Sequence, residues 1–433
     1  MTTAQVFAIA GPAMIANLTT PLIGVVSTTA IGRLGDPALL GGVAVASVIF
    51  DCLFWLFGFV RMSTTAFAAQ SLGAGETAEL RVILVRGFIV AAVIGVVLIL
   101  LQIPLISVLL GAIGGSDAVT SAAKTYFSIR IWSAPVVLIN YVVLGWLIGL
   151  AHARLALGLQ IAINITNAAA TALLVLVLDA GIAGAAIASV AAEAVGLLLG
   201  VAAAGRLTQW KLAIARASLF ERAKLLRMLA VNRDIMIRTA ALIAVWLFFS
   251  AQGARAGDIA LAANSVLNNF LLISAFFLDG LANAAQQLCG QTYGARDRNA
   301  FSDAVRLVIA WGSAFSLAVS AAFLLFGPSL IDTMTTSEGV RAMAREFLPF
   351  VLFAPLLGVF AFAFDGIYIG ATWARDMRNL MIGSLAIFFS AWWALRSFGN
   401  AGLWGALLAH YAARGGLQAL RYPALLKVSF GKK

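Results

Sequence analysis

Gln70-Ser71-Leu72-Gly73-Ala74 returns 221 residues later as Gln291-Thr292-Tyr293-Gly294-Ala295. The same spacing recurs around it: Gly149 with Ala153-Arg154 answers Gly370 with Ala374-Arg375, and Gly181-Ile182-Ala183-Gly184-Ala185 answers Gly402-Leu403-Trp404-Gly405-Ala406. Ala134-Pro135 and Ala354-Pro355 agree with a one-residue slip. An offset held over this much chain marks two similar halves.

The repeated unit is membrane-spanning. Of 433 residues, 62% are hydrophobic and 11% charged, against roughly 25% charged in soluble domains. A bilayer-crossing helix needs about 20 apolar residues, so roughly twelve spans fit. Reading apolar runs between polar, Gly and Pro punctuation places them near 4–31, 38–70, 82–111, 124–151, 155–179, 181–204, 229–253, 258–291, 302–327, 340–371, 378–398 and 401–427. Most are apolar all round, which excludes a soluble helical core. The forty glycines suit membrane helices that pack through small residues.

The N-terminal run Met1–Met14 has no basic leader and no cleavage site, so the first span is expected to be retained. Cys52 and Cys289 form no CxxC pair, and His152 and His410 are too isolated for a metal site. There is no GxxxxGK[ST] loop, and no HExxH or GxSxG in a suitable context. An enzyme, an ATP-driven pump and a cofactor are therefore not expected. The net charge of +11 raises nucleic acid as a partner, but the positive residues cluster in short connections, where membrane topology explains them.

With a cytoplasmic N-terminus, nineteen Lys and Arg fall inside and seven outside, the latter being Arg33, Lys124, Arg130, Arg255, Arg341, Arg345 and Arg396. The bias puts both termini and the basic connection in the cytoplasm of a bacterial inner-membrane protein. The expected organisation is an N-lobe at 1–204, a basic amphipathic linker at 205–228 and a C-lobe at 229–433. The fold class is all-α: two parallel six-helix repeats, related by an axis along the membrane normal, around a central cavity.

Ionisable residues at bilayer depth face protein or water and are functional candidates. Here they are Asp51, Arg61, Glu193, Arg238, Asp279, Asp365 and Arg414. Asn264, Asn268, Asp279, Asn283 and Gln286 share one face of the eighth span. That face either lines a wet cavity or ties helices together, since amides hydrogen-bond across membrane interfaces. Asp51 and Arg61 stand about 15 Å apart along one helix, so neither can be the other's partner. The first span carries Pro12, Pro21, Asn17 and Ser27, and the fifth carries Asn164, Asn167 and Thr171 at i, i+3 and i+7. For these hydroxyls and amides, packing and cavity lining both remain open.

Pro21-Leu22-Ile23-Gly24-Val25-Val26-Ser27-Thr28-Thr29-Ala30-Ile31-Gly32-Arg33, Phe57-Gly58-Phe59-Val60-Arg61-Met62-Ser63-Thr64-Thr65, and Asp365-Gly366-Ile367-Tyr368-Ile369-Gly370 resemble the DNA-damage-inducible (DinF) branch of the multidrug and toxic compound extrusion family. The resemblance covers essentially the whole chain. It implies a twelve-helix antiporter that exchanges protons or sodium for small organic, often cationic, substrates. The sequence departs from that pattern at Ser27, Thr171 and Gln286, where the family carries acids. None of these titrates near neutrality. The leading expectation is proton-coupled export by a monomer, with Asp365 as ion carrier, then Asp51 and Asp279. Arg61, Asn17, Ser27, Asn167, Thr171, Asn264, Asn268, Asn283, Gln286 and Tyr368 are the expected cavity residues. The alternatives are a flippase for lipid-linked substrates and a membrane scaffold that transports nothing.

Overall fold

The computed structural model describes residues 1–33, 36–113, 116–209 and 216–431, with the side chains at 20–25, 27, 28, 112, 113, 216 and 217 outside that description. Regular structure among the described residues is helical throughout. The helices are α1 (Thr3–Gly32), α2 (Pro37–Leu56), α3 (Phe59–Gly73), α4 (Thr77–Leu100), α5 (Gln102–Ile113), α6 (Asp117–Arg130), α7 (Ala134–Gly149) and α8 (Ala153–Thr171). They continue as α9 (Gly181–Leu207), α10 (Arg216–Leu219), α11 (Arg222–Arg255), α12 (Asp258–Gly294), α13 (Arg298–Met334), α14 (Glu338–Gly370), α15 (Ala374–Leu395) and α16 (Asn400–Phe430).

Ten segments among the described residues are long and apolar enough to cross a membrane. With the 30-residue α1 and the 31-residue α16, twelve long segments match the twelve expected spans one for one. Three expected spans are broken: α2 stops before Gly58 and resumes as α3, α4 gives way to α5 at Leu101, and a single tight turn at Ile131–Ser133 separates α6 from α7. Helices start where polar caps satisfy the free amides. The Asp36 carboxylate accepts from the Ala38 amide at 2.8 Å ahead of Pro37, and Asp297 accepts from the Ala300 amide at 2.9 Å.

The chain divides into two compact units: Ile15–Met228, here the N-terminal unit, and Met1–Met14 with Leu229–Lys433, the C-terminal unit. The duplication is visible inside each. A Cβ placed on Gly145 or Gly149 of α7 would meet the backbone carbonyl oxygens of Arg61 and Thr65 on α3. At the matching positions of the other half, one on Gly366 or Gly370 of α14 would meet those of Ala282 and Gln286 on α12. Lipid tails are as apolar as the helices, so close van der Waals approach must hold such pairs together, and only glycine permits it here.

The basic linker differs from the expectation of a plain cytoplasmic connection. Arg86 lies 4% exposed within α4. Its guanidinium donates to Glu79 at 2.8 Å, to the Leu219 carbonyl at 2.8 Å and to the Ser218 carbonyl. Lys224 bonds the same Glu79 at 2.9 Å. A buried guanidinium needs acceptors on several sides, and the free carbonyls at the end of α10 provide them. α11 accordingly begins at Arg222, inside the linker.

Candidate functional site

In the N-terminal unit a polar chain joins four helices. The helix break ahead of Pro135 leaves Arg130 at the end of α6, within the spanning segment Asp117–Gly149. The expected span 124–151 already contained Arg130, which the charge count placed toward the outer side. The Arg130 guanidinium carbon lies 4.8 Å from the Phe50 ring centroid, and the group donates to the Tyr126 hydroxyl at 3.2 Å. That hydroxyl is 3.4 Å from Ser189 Oγ on α9, which accepts from Asn167 Nδ2 of α8 at 3.2 Å. On α7, Asn140 Nδ2 donates to the Glu193 carboxylate at 2.7 Å and to the Glu193 carbonyl at 2.9 Å.

The two acids at bilayer depth in this unit, Asp51 and Glu193, are not sealed. Glu193 is half-buried, and Asp51 is exposed on the side of α2 that also carries Ala44, Val48 and Trp55. Both lie in electrostatic reach of Arg130. Arg61 shares the field around Tyr141, while its carbonyl accepts from Thr65 Oγ1 at 3.0 Å. Three buried oxygens, Asn140 Oδ1, Asn167 Oδ1 and Thr171 Oγ1, have no hydrogen-bond partner among the described residues. Thr171 ends α8 where the helix widens into a π-turn at Ala172–Val177, a distortion common at functional positions. In α1, Asn17 is half-buried, and Thr19 Oγ1 accepts from Asn164 at 2.9 Å. The Ser27 side chain lies outside the described residues.

The C-terminal unit holds a closed cluster instead. Asp365, 3% exposed on α14, pairs through Oδ2 with both Arg238 of α11 and Arg414 of α16. Its Oδ1 accepts from Gln418 Nε2 at 2.8 Å. Asp279, exposed on α12, interacts electrostatically with both arginines. Two acids thus balance two guanidiniums, as burial of charge requires.

The remaining expected cavity residues separate. Asn264 forms a reciprocal amide pair with Asn400 at 2.8 and 3.0 Å and accepts from Trp404 Nε1 at 2.9 Å. Tyr368, fully buried, donates to the Gln418 carbonyl at 2.7 Å. Both tie α16 to a neighbouring helix, the role that the sequence left open for Asn264 beside cavity lining. Asn283 and Gln286 are buried, and Asn268 is half-buried with a partnerless Oδ1.

A family profile described as MatE matches residues 12–173 and 234–391, one stretch in each half of the chain. The chain belongs to the multidrug and toxic compound extrusion family. It is 37% identical over 405 residues to DNA damage-inducible protein F of Escherichia coli (strain K12), covering 93% of this chain and 88% of that protein. It is 26% identical to the probable multidrug resistance protein NorM of Rhizobium meliloti (strain 1021), covering 92% and 88%. Among solved structures it superposes with a TM-score of 0.88 on a MOP superfamily transporter from Pyrococcus furiosus, at 18% identity over 99% of this chain and 96% of the other. That last likeness concerns the fold alone. Membership makes the protein a multi-pass membrane transporter.

Arg130, Tyr126, Asn140, Ser189 and Gln418 were not among the expected site residues. The repeat itself held a signal for Ser189 and Gln418. At the 221-residue spacing, Ser189, Glu193 and Leu197 of α9 stand where α16 has His410, Arg414 and Gln418. Each half therefore places its main polar cluster between the same pair of family helices, with an acid in one copy where the other has a base.

Proposed function

We propose that the protein is a secondary-active exporter, working by alternating access as a monomer. It moves small organic compounds, cationic or amphipathic, out across a bacterial inner membrane in exchange for inward-moving protons. The name of the NorM relative supports the substrate class. The observation that carries the coupling is the contrast between Asp365 and Asp51. A proton carrier must be stable in both its charged and its neutral form. Asp365 is held by two guanidiniums, and neutralising it would leave Arg238 and Arg414 facing one remaining acid. Asp51 is open, with Arg130 as its charged neighbour, so the carrier role first expected of Asp365 moves to Asp51. Sodium would need several oxygens converging on one carboxylate. The partnerless oxygens of Asn167 and Thr171 are neutral and bind it weakly.

The test uses proteoliposomes with ethidium as cargo and an imposed pH gradient. Asp51→Asn should abolish gradient-driven movement while ethidium binding and monodisperse elution persist. Undiminished gradient-driven transport would remove Asp51 as carrier, and drive by a sodium gradient alone would replace the proton. The Lys and Arg bias supports cytoplasmic termini and linker. Cysteines introduced at Arg216 and Glu338 should then react with an impermeant reagent from opposite sides, and labelling of both from one side overturns the orientation.

A further inference from the structure

An apolar groove of about 510 Å³ opens on the N-terminal unit, lined by Phe88 of α4, Ile139 of α7, and Leu197, Leu198, Val201 and Ala202 of α9. Its walls belong to spanning helices, so what reaches it is dissolved in the bilayer. One turn before Leu197 on the same stripe of α9, about 6 Å along the axis, stands Glu193. The residue after Ile139 is Asn140, whose amide holds the Glu193 carboxylate and carbonyl at 2.7 and 2.9 Å. Asn140 is 1% exposed and keeps Oδ1 without a partner. Glu193 lies near the middle of α9, which runs from Gly181 to Leu207, so the groove extends from the mid-depth of that helix toward its C-terminal end.

The other half carries bulkier residues at matching positions. At the 221-residue spacing Ile139 and Val201 become Phe360 and Tyr422, and the Tyr422 ring packs 5.7 Å from that of Phe364. There the residue matching Glu193 is Arg414, already committed to Asp365. The N-terminal unit pairs an open apolar slot with a half-buried carboxylate one helical turn away.

We propose that this groove is a lateral binding site for lipophilic organic cations dissolved in the bilayer. The apolar body lies against Phe88, Ile139 and Val201, and the positive centre is drawn to Glu193. A carboxylate at bilayer depth attracts a cation strongly because little water screens it, whereas an acyl chain would gain nothing from that charge. This deepens the exporter reading by naming where a membrane-dissolved substrate first docks, and rests on it to that extent.

The test measures binding of tetraphenylphosphonium to the full chain in phosphatidylcholine nanodiscs, without any gradient. Three variants are compared: Glu193→Gln, Glu193→Asp, and Leu198→Trp, which covers the slot from an exposed position (71% exposed) and spares the packed interior. Glu193→Gln and Leu198→Trp should each weaken binding at least about tenfold. Glu193→Asp should retain most of it, and neutral triphenylphosphine should not compete. Wild-type affinity in Glu193→Gln and Leu198→Trp overturns the site, and equal displacement by triphenylphosphine shows a slot for uncharged chains only. If the wild type binds the cation but never moves it under a gradient, the exporter reading fails and the site stands. If it moves the cation while the variants bind normally, the site fails and the exporter stands.

Discussion

The two units share a plan and differ in how they treat charge. In the C-terminal unit Asp365 is closed off by Arg238, Arg414 and Gln418, all at most 5% exposed. In the N-terminal unit Asp51 is exposed and Glu193 is half-buried. A buried ion-pair network resists change because removing one charge strands its partners. The halves therefore divide by how deeply their acids are paired.

The sharpest way to break that division is to neutralise each acid in turn and follow thermal unfolding in nanodiscs. Asp365→Asn leaves two buried guanidiniums short of charge and should cost about 3–5 kcal/mol. Asp51→Asn should stay within about 0.5 kcal/mol of wild type. Equal losses at both sites would end the distinction. A smaller effect tests what the halves have in common: Gly145→Ala and Gly366→Ala each push a Cβ into a backbone carbonyl and should each lower stability by about 1–3 kcal/mol. A large fall for one and none for the other would mean that the repeated helix contact is not equivalent. The smallest effect belongs to Thr171→Val. Its hydroxyl is buried without a partner, so the change should be neutral or slightly stabilising in the melt. A clear loss of stability would show a partner for Thr171 and shrink the open character of the N-terminal unit.

Much of the fold was legible. Twelve apolar runs, the constant spacing and the matching Gly149 and Gly370 all survive in the structure, because length and small-residue packing are written locally. The sites were less legible. In a bilayer both the lipid-facing and the packed side of a helix are apolar, so periodicity does not reveal which polar residue meets which. Arg130 lay within the expected span 124–151, but its contact with the Phe50 ring joins helices that no local pattern connects. Asp365 read as an ion carrier because its two arginines come from helices 127 and 49 residues away in sequence, where no local pattern connects them. Asn264 and Asn283 share a helical face, yet the first is bound to Asn400 and Trp404, a pairing only the packed chain shows.

The exchange of Glu193 for Arg414 between the halves has a bearing on how such a molecule can be changed by mutation. If the halves descend from one sequence, no single charge reversal at this position could have been accepted alone, because it would set an arginine beside Arg130 or a glutamate beside Asp365. The passable routes run through an uncharged residue at that position, with the neighbouring helix altered before the new charge arrives. Random mutagenesis should therefore recover charge reversals at Glu193 or Arg414 only as linked double changes, and a library selected for surface expression would show whether the two steps must come in that order.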